Sequence, residues 1–190
     1  MADSETLLFS IKPIKIGLFG NPVTTVDIYS NGLTIERKNG VEEYAFADIE
    51  KITADGYADK KPRFIFISIH LKNAKKPIEF KLHRDMEDTN ALLDSYSNFL
   101  LGDDFPNNLD ALDLELGVLG SCYRLQGGKI VSEYGTIIPL SNVVSLSKGR
   151  NGFYKVKVKG MKHPLGISPR EAPNIAASLA VLNEIISRNE

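Results

Sequence analysis

The chain has 190 residues, 43% of them hydrophobic and 25% charged, with a formal net charge of −1. That length fits one or two small domains, the composition excludes disordered and fibrous classes, and the near-zero charge argues against a dedicated nucleic-acid binder. A single cysteine, Cys122, excludes an intramolecular disulfide and a thiolate metal cluster; lying in a predicted strand, it reads as a small buried hydrophobe.

No apolar run approaches the roughly 18 residues needed to span a bilayer. The first six residues are acidic where a secretory signal would be basic, and the apolar stretch after them is interrupted by Lys12, Pro13 and Lys15. These features lead to the expectation of a cytoplasmic protein.

The first candidate for chemistry in chain order is the loop Gly17-Leu18-Phe19-Gly20-Asn21-Pro22. No Gly-Lys-Ser/Thr follows it, and proline stands where a phosphate-binding helix would begin, so a turn between the first two strands is expected there. Residues 26–30, 33–37 and 41–46 read as strands joined through the turn pairs Asn31-Gly32 and Asn39-Gly40, which accept the positive φ of tight connections. Residues 64–71 are β-branched and aromatic throughout. Residues 77–83 alternate, with Ile78, Phe80 and Leu82 on one face and Glu79, Lys81 and His83 on the other. Such alternation predicts an antiparallel meander, wet on one side.

From Asp85 the period changes. Met86, Leu92, Leu93, Tyr96, Phe99 and Leu100 form a stripe at helical spacing that stops at Gly102, with Asp85 and Asp88 as a capping arrangement. Residues 102–112 carry the turn-formers of a linker, which predicts domains over 1–104 and 105–190. Residues 1–104 hold 13 Lys plus Arg against 17 Asp plus Glu, a formal −4; residues 105–190 hold 10 against 7, a formal +3.

The second half repeats the first at an offset of about 94 residues. Strands over 121–125, 129–133 and 136–140 are joined by Gly127-Gly128, and the alignment of Ile49 with Val143 also aligns Phe46 with Leu140 and Ile52 with Leu146. Within the strand that follows, Lys155, Lys157 and Lys159 fall on one face and Tyr154, Val156 and Val158 on the other. With Lys148 and Arg150 before them, they are the candidate binding residues for a phosphate or an anionic lipid. The plainer explanation is a solvated strand face, or an edge strand guarded by lysines. A second helix follows: Ser168-Pro169-Arg170-Glu171 is a capping box with proline at the first helical position, although Pro173 can break that turn and start the continuous helix itself. Ile175, Leu179, Leu182 and Ile186 form its buried stripe. Each helix is expected to cover the open end of its own strands.

Tyr44-Ala45-Phe46-Ala47-Asp48-Ile49 in one copy and Ile138-Pro139-Leu140-Ser141-Asn142-Val143 in the other resemble a step found in bacterial pleckstrin-homology-like and GRAM-like domains. The resemblance spans nearly the whole chain as two copies. It implies a mainly β fold of two partly open antiparallel β-barrels, each of about seven strands capped by a C-terminal helix, with no enzymatic activity and no cofactor. It also implies self-association, since bacterial relatives form ring-like homo-oligomers. In pleckstrin-homology folds phosphoinositides bind at the first loop through a lysine and a nearby Lys/Arg-x-Arg. Here Lys12 and Lys15 are followed by no arginine before Arg37, a departure from that pattern.

The remaining chemistry is thin. His70, His83 and His163 are scattered; His70 and His83 could meet across neighbouring strands, but metal ligation needs three converging groups. No nucleophile elbow and no Cys-His pairing is present. The expectation is therefore a non-catalytic, metal-free binding or scaffold protein. It would take a protein partner or another copy of itself along a sheet edge, or act at the surface of an anionic membrane through the lysine face.

Overall fold

Apolar positions at period two become strands, and the two stripes at helical spacing become helices, in the same order twice over. The computed structural model describes residues 6–14, 22–57, 64–83, 86–118, 121–149 and 153–190. Within these, the first half holds β1 (Leu7–Ile11), β2 (Val23–Tyr29), β3 (Gly32–Arg37), β4 (Gly40–Ala45), β5 (Ile49–Asp55), β6 (Phe64–Leu71), β7 (Ile78–His83) and α1 (Met86–Leu101). The second holds β8 (Asp113–Val118), β9 (Ser121–Gln126), β10 (Lys129–Ser132), β11 (Ile137–Pro139), β12 (Val143–Lys148), β13 (Tyr154–Val158), β14 (Leu165–Ile167) and α2 (Ile175–Asn189).

The described pairings are antiparallel: β1-β2-β3-β4 in one sheet, β5-β6-β7 in another, and β11-β10-β9-β8-β14-β13-β12 in a third. The expected barrels are not formed. β4 does not pair with β5, and the seven-stranded sheet runs open from β11 to β12. A short 3-10 turn stands at each break, Phe46–Asp48 in the first half and Leu140–Asn142 in the second. There the chain leaves one ladder before starting the next. Phe46 N–H turns back to the carbonyl of Asn31 (2.8 Å) instead of extending the ladder toward β5. The opposite corner is joined in both halves, by the single pair Ile167–Val118 between β14 and β8, and by the bridge in which Ile14 N–H donates to Lys81 O (2.8 Å).

The duplication extends to fine detail. β5 and β12 each carry an irregularity after their first residue, between Ile49 and Lys51 and between Val143 and Ser145. Just before them, Asp48 O accepts from Lys72 N–H (3.0 Å) and Asn142 O from Lys159 N–H (2.7 Å). The first carbonyl of each strand is capped by a helix side chain: Tyr96 Oη donates to Ile49 O (3.1 Å), and Asn189 Nδ2 donates to Val143 O (2.9 Å). Phe46, Ile49, Ile52 and Val143 are buried, whereas Leu140 and Leu146 are only partly so.

The turns differ in how they use glycine. Gly127 (φ 55°) and Gly128 (φ 67°) both have the left-handed backbone expected of a tight hairpin. Gly32 does not have positive φ; a side chain there would collide with the carbonyl of Tyr44, so close strand approach is what requires glycine.

α1 packs on β2 and β7, α2 on β8 and β12, and the helices also pack on each other. α1 buries Leu92, Leu93, Tyr96 and Leu101, while Phe99 remains 41% exposed. Gly102 (φ 73°) ends it as expected. The Asp85 cap lies outside the described residues. α2 does not start at the capping box. Ser168–Glu171 instead forms a turn, in which Glu171 and Ala172 N–H donate to Ser168 O (3.1 and 2.9 Å). Pro173 has no N–H and its ring blocks a continuous helix, so α2 begins after Asn174, whose Oδ1 accepts from Ala176 N–H (2.8 Å) and Ala177 N–H (3.2 Å). Buried apolar residues of both halves form one continuous cluster, in which each fully buried Leu, Ile or Phe contributes on the order of 1.5–3 kcal/mol.

Cys122 corrects another expectation. Tyr123 and Leu125 take the inward positions of β9, so alternation turns Cys122 outward, and it is exposed. Partial desolvation and the neighbouring Glu115 push its thiol pKa up, away from a reactive thiolate.

Candidate interaction edges

Residues 168–174 form a strap between the halves. On one side Ser168 N–H donates to Gly117 O (3.0 Å) in β8. On the other, Ile52 N–H donates to Pro173 O (2.7 Å) and Ala54 N–H to Pro169 O (3.3 Å), so that two outward-facing donors of β5 are satisfied. A Cβ on Gly117 would overlap the backbone of Glu171 and Ala172. Asn174, fully buried, reaches from its cap position to donate Nδ2 to Leu93 O of α1 (2.9 Å). Arg170 and Asp55 pair at 2.6 Å, but both are solvent-exposed and the pair adds little.

The repeat places Leu146 and Lys148 of β12 where Ile52 and Ala54 stand in β5. Gly149 N–H donates to Phe153 O (2.7 Å), and Ser147 lies opposite Lys155 and Ser145 opposite Lys157. Antiparallel alternation therefore directs the backbone of Leu146 and Lys148 away from β13, toward the outer edge. Neither N–H has a backbone partner among the described residues. Val144, Ser145, Ser147 and Lys148 are exposed along the same strand.

Lys155 and Lys157 project from β13 into solvent and Lys159 follows in the adjoining turn, also exposed, with Val156 and Val158 buried behind them. β13 lies between β12 and β14, so the lysines are on an interior strand and do not guard an edge. Lys148 closes β12, with Nζ 5.9 Å from the ring centre of Tyr154. Arg150 lies outside the described residues. Among the described residues, none of these lysines has an ion pair.

Two further surfaces lie on the first half. β4 is a sheet edge exposed over nearly all its length, including Val41; its Glu42 accepts from Arg37 Nε (3.2 Å) and Tyr44 Oη (3.0 Å). A groove of 510 Å³ opens between β1, the β2–β3 turn and the C-terminal half of α1. Leu8 and Phe99 supply its apolar contacts, and Asn31, Asn98 and Asp103 its polar rim.

The other candidates do not converge. Positions 17–21 of the glycine loop, and Lys15 before it, lie outside the described residues. His83 is opposite Phe64, at the far end of β6 from His70, so the two histidines do not meet. Partial burial and Lys51 hold the pKa of His70 below the usual imidazole value. Among the described residues no group of three His, Cys, Asp or Glu side chains is placed to hold a metal. What this surface offers chemically is backbone pairing at strand edges beside a row of positive charge.

The edge of β5 and its strap were not legible as a site from the residue pattern. The available signal was Gly117, an isolated glycine inside a strand, which marks close approach of another backbone. The chain matches no protein-family model and no curated protein.

Proposed function

We propose that this is a non-catalytic binding protein, built from two copies of a pleckstrin-homology-like plan, that engages a protein partner or a second copy by pairing along an open sheet edge. One observation carries the reading: the outer edge of β5 holds a segment from elsewhere in the chain through Ile52–Pro173 and Ala54–Pro169, while the equivalent edge of β12 holds none among the described residues. Strand addition uses the same backbone groups, with side chains giving selectivity. Light scattering over a concentration series tests the self-association arm. Mass rising above the 21.0 kDa monomer, and falling back in V41K on the exposed edge of β4, supports it. A monomer at every concentration removes the second copy as a partner.

A second reading rests on the lysine face, which has no ion pair among the described residues. Lys155, Lys157 and Lys159 could hold an anionic phospholipid surface, at about 1 kcal/mol per lysine and so roughly 3 kcal/mol together. Among the described residues no helix is long and apolar enough to cross a membrane; in this reading the contact is peripheral and the protein cytoplasmic. Flotation with phosphatidylserine vesicles tests it. Binding unchanged by K155E/K157E/K159E removes those residues from the argument.

A further inference from the structure

We infer that the outer edge of β12 is a docking site for an extended acidic segment of a partner protein, which joins the sheet as a strand beside Val143–Lys148. The inference rests on the edge-binding reading above and names the edge and the chemistry of the occupant.

The same edge occurs twice in the molecule and, among the described residues, is filled once. In β5 the first carbonyl is capped by Tyr96 and the donors of Ile52 and Ala54 are taken by the strap. In β12 the first carbonyl is capped by Asn189, and the corresponding donors, Leu146 and Lys148, have no backbone partner among the described residues. The strap has no counterpart of equal length in the first half: seven residues separate β14 from α2, but only two separate β7 from α1. Among the described residues, a second copy of this chain therefore offers no equivalent strap for β12.

Charge selects among the remaining occupants. A strand added beside β12 lies about 4.8 Å from it and about twice that from β13. Only Ser145 and Ser147 stand between the added strand and Lys157 and Lys155, and both are small and exposed. Acidic side chains at alternate positions of the new strand would reach across them to Lys157 and Lys155, while Lys148, opposite Tyr154, lies on the other face at the end of the edge. Pairing of two β12 edges would instead leave the two lysine rows about 14 Å apart, three strand spacings, and would supply no acidic side chain to meet Lys155 and Lys157.

The test is an amide chemical-shift titration of the full-length protein, with the synthetic peptide acetyl-Glu-Val-Glu-Thr-Glu-Val-amide as probe. Expected are saturable shifts at the Leu146 and Lys148 amides, weakened by salt and absent when lysine replaces glutamate in the peptide. Lys148→Pro removes an outward donor from an edge strand without touching the ladder to β13, and should weaken binding about tenfold beyond the loss in Lys148→Ala. Unchanged Lys155 and Lys157 amides in the free variant verify that β12 and β13 remain paired.

No shift at Leu146 and Lys148 at saturating peptide overturns the inference. Shifts confined to the β4 or β11 edge overturn it while leaving the broader edge-binding reading intact. Concentration-dependent shifts at Leu146 and Lys148 without peptide would make a second copy the occupant and overturn the acidic partner. Binding to phosphatidylserine vesicles with no response to peptide would move the lysines to the membrane reading.

Discussion

Ile52 donates its backbone N–H to the carbonyl of Pro173 at 2.7 Å, and so ties the fifth strand of the first half to the segment that precedes the last helix of the second. Ala54 and Pro169 repeat the tie two residues further along β5. Because the strap also holds β8 through Gly117, changes at its two ends should be felt in both halves.

Asn174 anchors one end with a side chain that caps α2 and donates to α1. Asn174→Ala removes the cap and leaves Leu93 O without its donor, and is expected to cost about 2–3 kcal/mol in urea unfolding. Asn174→Asp retains cap acceptors but turns a carboxylate toward that carbonyl in a fully buried position, so it should not restore stability. Full stability in the Asp variant would show that the bond to Leu93 contributes nothing.

Gly117 anchors the other end by having no side chain. Gly117→Ala would place its Cβ on the backbone of Glu171 and Ala172, neither of which can yield as a side-chain tip does. A loss of about 2–4 kcal/mol is expected, with faster hydrogen exchange at Ile52 and Ala54. If those two amides keep wild-type exchange in the variant, the strap does not depend on the close approach.

Tyr96 and Tyr57 carry a pH signature. Burial pushes both phenols up to about 12, with Glu50 adding to the effect at Tyr96 and Tyr154 and Asp94 at Tyr57. Unfolded tyrosine ionises near 10. The folded state thus favours the neutral phenols, a contribution fully present below about pH 10 and lost as pH rises from there through about 12. Phenolate absorbance should show these groups titrating late. Tyr96→Phe should lower stability by about 1–2 kcal/mol at neutral pH, since Ile49 O loses its donor.

Ser178 predicts the opposite sign. Its side chain is fully buried on α2, and its hydroxyl has no hydrogen-bond partner among the described residues. Ser178→Ala removes an unpaired polar group and adds helix propensity, for a gain of about 1 kcal/mol. Loss of stability on thermal or urea unfolding would mean that the hydroxyl is satisfied in solution.

Local patterns were legible where one residue's neighbours decide its conformation. The β-branched and aromatic run of residues 64–71 and the alternation of 77–83 became β6 and β7, and Gly102 ended α1. The alignment of Ile49 with Val143 held down to the irregularity in each strand and the capped carbonyl. Hidden were the features decided by distant contacts. Ser168–Glu171 has the composition of a helix cap, yet its carbonyls and amides are used in a turn and against β5 and β8. The absence of any barrel closure among the described residues was equally hidden behind the expected partly open barrels, because hydrophobic pattern says which face of a strand is buried and not whether β4 finds β5 or β11 finds β12. The lysine row was visible as alternation, but its interior place in the sheet was not, and neither was the edge next to it that is open among the described residues.

Hydrogen exchange at four amides tests most directly whether a duplicated edge is closed in one half and open in the other. Ile52 and Ala54, bonded to the strap, should exchange slowly, while Leu146 and Lys148, equivalent in sequence but facing outward, should exchange about a hundredfold faster or more. Equal protection at the two pairs in the free protein would contradict the open β12 edge and the binding role built on it.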